Sequence, residues 1–150
     1  MSARRQGNGG TFGKAGGDAA PTRRTVLIVD DEDDFRELFA DALRPEIDRV
    51  LEAHSGEEAL AILTDMGKRR EPDPDLVVVD LLMPRMSGIE LLQRLRRSPR
   101  WSSLPVLVVT AVNDPMLPVR LDVPIAFKTD AETLLNVVHQ QLAARAPAAV

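Results

Sequence analysis

Five short apolar runs, rich in β-branched residues and separated by helical patterns, constrain this chain more than any other feature. They are "TVLIVD" (25–30), "RVLEA" (49–53), "DLVVVD" (75–80), "PVLVVT" (105–110) and "VPIAF" (123–127). Runs this short and this apolar suit strands of a parallel sheet covered on both faces better than half-exposed antiparallel strands. Between them the apolar spacing switches to that of a helix. Phe35, Leu38, Phe39 and Leu43 share one face of a first helix that stops at Pro45. Ala59, Leu60, Ile62 and Leu63 mark a second, after Ser55-Gly56, and Ile89, Leu91, Leu92 and Leu95 a third, ending near Ser98-Pro99. Leu134, Leu135, Val138 and Leu142 mark the last, with Asp130 as its N-cap.

Strand and helix in alternation predict an α/β fold, a doubly wound, five-stranded parallel sheet with helices on both faces. One connection breaks the pattern. Between Thr110 and Lys128 stand Pro115 and Pro118, and a helix interior tolerates neither well. The fourth helix, joining the fourth and fifth strands, is therefore expected to be short or missing.

The first 23 residues contrast with this body. They hold six of the nine glycines and, apart from Phe12, almost no large apolar side chain, so they are expected to form a disordered tail. Residues 1–25 carry a charge of +4 and the remainder −8. Without aromatic spacing, the basic tail reads as a solubilising leader rather than a nucleic-acid site. The absence of cysteine excludes a disulfide framework, thiolate zinc and a cysteine nucleophile. No apolar stretch approaches the ~20 residues that span a bilayer, and no apolar signal segment stands at the start. The expectation is a cytoplasmic protein with one domain over residues 24–146, no membrane partner and no output domain.

In open parallel sheets the working site lies at the carboxyl ends of the strands. The first strand brings Asp30 and Asp31 there, the third Asp80, the fourth Thr110 and the fifth Lys128. Two carboxylates about 4 Å apart repel by roughly 4 kcal/mol at an effective dielectric near 20, so such a rim calls for a cation. Two or three carboxylates with room for water suit Mg2+. A hydroxyl and an ammonium beside a metal suit a phosphoryl group. Glu32, Asp33 and Asp34 favour the positive end of the first helix and read as a helix-start signal. His54 and His139 read as surface residues, Met83 and Met86 as loop packing, and Trp101 as a packed side chain.

Taken together, "VLIVDDE", "DLVVVDLLMPRMSGIELL", "PVLVVTA" and the late strand-end lysine resemble the receiver domain of bacterial two-component response regulators. The resemblance runs over residues 25–145, and its most specific element is D-x-x-M-P-x-x-x-G at Asp80, Met83, Pro84 and Gly88. It implies the flavodoxin-like strand order 2-1-3-4-5. It also implies that Asp80 accepts a phosphoryl group from a sensor histidine kinase or phosphotransfer protein, with Thr110 and Lys128 contacting that group. Asp31 would be a direct Mg2+ ligand, Asp30 an acid holding the metal through water, and Asp80 and the Leu82 carbonyl further ligands. Leu82 and Val112 would border the line along which water attacks the acyl phosphate.

Two positions depart from the family pattern. Thr129 follows Lys128 where the family carries proline, so a trans peptide is expected there. Ile125 stands where the family carries a switch aromatic. The leading expectation is a stand-alone receiver, a monomer or weak dimer that signals to a downstream protein without binding DNA. It is not an enzyme beyond self-phosphorylation and slow autodephosphorylation. The alternative is a pseudo-receiver acting as a phosphorylation-independent interaction module; a Mg2+ phosphohydrolase is a weaker third.

Overall fold

The computed structural model describes residues 23–111 and 121–144. In chain order these form β1 (Thr25–Val29), α1 (Asp33–Leu43), β2 (Arg49–Ala53), α2 (Gly56–Lys68), β3 (Leu76–Asp80), α3 (Gly88–Arg97), β4 (Val106–Thr110), β5 (Ile125–Phe127) and α4 (Ala131–Ala144). The strands make one parallel sheet in the order β2-β1-β3-β4-β5. This is the doubly wound, flavodoxin-like arrangement expected. The expected tail (1–23, all but its last residue) and the Pro115–Pro118 segment lie outside the described residues, as does Val112.

Period-two alternation builds the two cores. Leu27, Val29, Val77, Val79, Val106 and Val108 face Ala59, Leu63, Leu91 and Leu95 of α2 and α3. Val26, Ile28, Val78, Leu107 and Val109 face Phe39 and Leu43 of α1 and Leu134, Val138 and Leu142 of α4. Every residue of β3 and β4 is buried, which is why these runs carry no polar residue until their last position. The edge strands differ from the expectation of full burial. β2 exposes Arg49 and half-buries Glu52, and β5 is three residues long with Phe127 at the surface.

Local signals start the helices. Ser55 and Ser87 accept hydrogen bonds from the N–H groups of Glu58 and Glu90, capping α2 and α3. Asp130 does the same for α4, accepting from Thr133 N at 2.8 Å. On α1 the apolar face falls differently from the sequence expectation. Its buried residues are Arg36, Phe39, Ala40 and Leu43, and Leu38 is 63% exposed. Leu38 lies one residue, about 100° of helix rotation, to the side of Phe39, and the guanidinium of Arg36 takes the stripe position because it finds acids and a carbonyl there.

The strand order reverses between β1 and β3, which places the switch point where Val29 leads to Asp30 and where β3 ends in Asp80. The loop after β3 is packed down by Met83 and Met86, both buried. It closes with Gly88 N donating to Leu81 O at 2.9 Å. A Cβ on Gly88 would stand 2.2 Å from the backbone oxygen of Asp80, so the loop's glycine is required by close approach. Gly88→Ala is expected to cost on the order of 2 kcal/mol by overpacking. Urea unfolding should show a lower midpoint at unchanged slope, and a midpoint equal to wild type would disprove the close-approach argument.

Candidate functional site

Asp30 and Asp31 leave β1 into the turn before α1, and Asp80 ends β3. Asp30 and Asp80 are buried and Asp31 is exposed. Each offers a carboxylate oxygen, and these oxygens all lie within 4.8 Å of one another. Lys128, one residue past β5, is held by its N–H donating to Thr110 O at 2.7 Å. Its Nζ stands 2.8 Å from Asp30 Oδ2, 3.2 Å from Glu32 Oε1 and 3.5 Å from Asp80 Oδ2. The described chain contains no cis peptide bond, and Lys128 reaches the acids with Thr129 following it.

Burial raises the Asp80 carboxyl to about 6, with the Asp30 charge adding to the rise and the Lys128 charge and the Leu82 N–H opposing it. Burial also raises Asp30, against hydrogen bonds from Lys128 and from the Glu32 N–H at 2.8 Å. The Lys128 ammonium is raised as well. Burial alone would lower it, but its hydrogen bond to Asp30 and the charges of Asp30 and Asp80 outweigh that. The site thus gathers two buried carboxylates, Asp30 and Asp80, and the surface acid Glu32 around one ammonium, with Asp31 exposed at the same rim.

Thr110 ends β4 with its side chain buried, beside Leu81, which bonds Val109 O. Its hydroxyl lies 3.4 Å from Ala111 O, and among the described residues it makes no hydrogen bond to Asp80. Leu82, two residues past Asp80, is 57% exposed. Asp30, Asp31, Asp80 and Lys128 are thus brought together, with Thr110 and Leu82 on the same rim.

Three neighbours were missed by sequence reasoning. Glu32, read only as a helix-start acid, also pairs with Lys128. The ring of Phe35 lies 4.6 Å from the same ammonium. Arg36 Nη1 donates to Asp30 O at 2.8 Å, and the guanidinium also pairs with Asp33 at 2.8 Å and Glu52 at 3.0 Å. A signal for Arg36 existed, since it is the one charged residue in phase with Phe39, Ala40 and Leu43. None existed for the other two, whose partner lies more than 90 residues away.

The donor set fits Mg2+. That ion takes oxygens at about 2.1 Å, so atoms sharing it lie roughly 3 to 4.2 Å apart. The three carboxylate oxygens need only a small contraction, and the exposure of Asp31 leaves an open side for water.

The family model of the response regulator receiver domain matches residues 26–137. The chain belongs to this family. Among curated relatives, this receiver is 39% identical over 88 residues to the phosphate regulon transcriptional regulatory protein PhoB of Pseudomonas aeruginosa, covering 59% of the chain and 36% of that protein. It is 35% identical over 100 residues to the two-component response regulator ORR11 of Oryza sativa, covering 67% and 63%. The receiver chain thus spans about a third of the first relative's length and under two thirds of the second's. A solved structure of a response regulator from Chloroflexus aurantiacus matches with a TM-score of 0.67 at 31% identity, over 81% of this chain and 99% of that one. Receiver domains serve two-component systems, interact with histidine kinases or phosphotransfer proteins, and typically hold Mg2+ in an acidic pocket. No helix among the described residues is long and apolar enough to cross a membrane.

The raised Asp80 carboxyl makes stability depend on pH. Asp80 holds its proton up to about 6 when folded and to 3.8 when not. The folded state therefore binds more protons across that window, and its stability falls as pH rises through it, by up to about 3 kcal/mol. In chelator-treated protein, Asp80→Asn is expected to flatten this decline and to be the more stable at neutral pH, Asp30 supplying the slope that remains. Denaturant unfolding at several pH values checks this; equal slopes in the two proteins would contradict it.

Proposed function

We propose that this receiver accepts one phosphoryl group on Asp80, in a Mg2+-dependent step, from the phosphohistidine of a histidine kinase or a phosphotransfer protein. It then signals by protein–protein contact. The observation that carries this reading is the ammonium of Lys128, 3.5 Å from Asp80 and bonded to Asp30. A nucleophilic carboxylate, its metal-binding acids and a counter-charge for a phosphoryl oxygen thus share one rim.

The chemistry follows from these parts. With its pKa raised to about 6, Asp80 is mostly ionised at neutral pH and more basic than an ordinary carboxylate. One of its oxygens forms the bond to phosphorus while the donor's phosphorus–nitrogen bond breaks and that nitrogen keeps the electron pair. Asp30, Asp31, Asp80 and the Leu82 carbonyl would hold Mg2+, which when bound neutralises charge on the phosphoryl oxygens. Lys128 would neutralise another oxygen, and the Thr110 hydroxyl would donate to the phosphoryl group on Asp80. The protein acts on itself only, with slow autodephosphorylation. It acts in the cytoplasm, as a monomer or weak dimer.

The pseudo-receiver reading draws on Ile125, which stands where the family has a switch aromatic. Against it stands the reach of Lys128, which does not require the family's proline. Incubation with Mg2+ and acetyl phosphate, followed by intact-mass measurement, is expected to add one phosphoryl group to wild type and none to Asp80→Asn. Leu82→Asn, which places an amide where water approaches, should then lose the group several-fold faster through better orientation of that water. No uptake by wild type would favour the pseudo-receiver, and equal decay would refute the shielding role of Leu82.

A further inference from the structure

We propose that Phe35 is a positioning residue for Lys128, holding its ammonium beside Asp80 through the face of its ring. The proposal rests on Asp80 as phosphoryl acceptor. It starts from how little backbone fixes this lysine. β5 is a three-residue edge strand, and the residue after it is tied to the sheet by one bond, Lys128 N to Thr110 O. The direction of a long, flexible side chain must then be set by what its tip touches. Asp30 and Asp80 touch it from the strand ends. Glu32 and Phe35 touch it from the start of α1, Phe35 with its ring centroid 4.6 Å from Nζ, well inside the range of a cation–π contact.

Phe35 differs from the other three in two ways. It is anchored in the core, because its ring stacks on Phe39 at 5.8 Å with the planes 22° apart, and Phe39 is fully buried. Core packing thus fixes the ring before the lysine arrives. The ring is also uncharged and binds no divalent cation. Mg2+ competes with the ammonium for Asp30 and Asp80, and salt screens the pair with exposed Glu32. The attraction of the ring persists in either charge state of the acids. It is therefore the contact that keeps Lys128 at the site when the carboxylates turn to metal and to phosphorus.

The test uses lysine-selective carbon-13 labelling, simplified because the chain has three lysines, Lys14, Lys68 and Lys128. In wild type the Hε protons of Lys128 are expected upfield of those of the other two by the ring current of Phe35. The displacement should be kept in Phe35→Trp and lost in Phe35→Leu. With Mg2+ and acetyl phosphate, Phe35→Leu should take up a phosphoryl group about three-fold more slowly, the scale of a cation–π contact, and Phe35→Trp at the wild-type rate. Recovery by a larger aromatic separates ring-face attraction from core filling. An unshifted Lys128 resonance in wild type, or uptake by Phe35→Leu as fast as wild type, overturns the proposal. If wild type takes up no phosphoryl group, the acceptor reading of Asp80 fails, and an upfield Lys128 resonance that Phe35→Leu abolishes still supports the positioning contact.

Discussion

One ammonium faces three carboxylates where the strand ends converge, and the local architecture is arranged around that imbalance. Lys128 touches Asp30, Glu32 and Asp80 at once, while Asp31 sits at the same rim with no ion pair among the described residues. Burying like charges together costs free energy unless counter-charge is present. A single lysine cannot neutralise the whole cluster, and the remainder is the capacity to take a dication. The raised Asp80 carboxyl reflects its burial first and the neighbouring Asp30 charge second.

The sheet makes such a cluster sustainable. β1, β3 and β4 are buried along almost their whole length, and this apolar burial fixes the strand ends without help from the rim. Gly88 lets the loop after β3 fold tightly onto the backbone of Asp80. Arg36 pins the carbonyl of Asp30, so the turn carrying Asp30 and Asp31 is held through its backbone and not through their carboxylates. The acids are presented by a rigid frame and do not have to find their geometry when a metal arrives.

Most of this frame was legible in the sequence because it is written locally. Asp80 ends an unbroken apolar run, and so does Thr110; in a parallel sheet those ends lie together. The Asp130 cap is likewise a short-range signal, whereas the serine caps of α2 and α3 emerge only from the structure. The misreading of α1 is instructive. Leu38 was placed on the core face by counting apolar residues, yet the stripe belongs to Arg36, which is buried only because Asp33, Glu52 and a main-chain carbonyl meet it there. Those partners come from three segments, and no single helical pattern contains them. The contacts of Lys128 with Glu32 and Phe35 were hidden for the same reason. They depend on the first and last strands being brought to one rim, which periodicity predicts only as topology.

The account turns on ammonium and dication sharing the same carboxylates, and the most direct measurement is a calorimetric titration of Mg2+ into wild type and Lys128→Met. Lys128 donates to Asp30 at 2.8 Å, so metal binding must weaken a charge-assisted hydrogen bond, which is worth about 1.5–3 kcal/mol. The account predicts that Lys128→Met binds Mg2+ about ten-fold more tightly than wild type. Equal or weaker binding by Lys128→Met would contradict it.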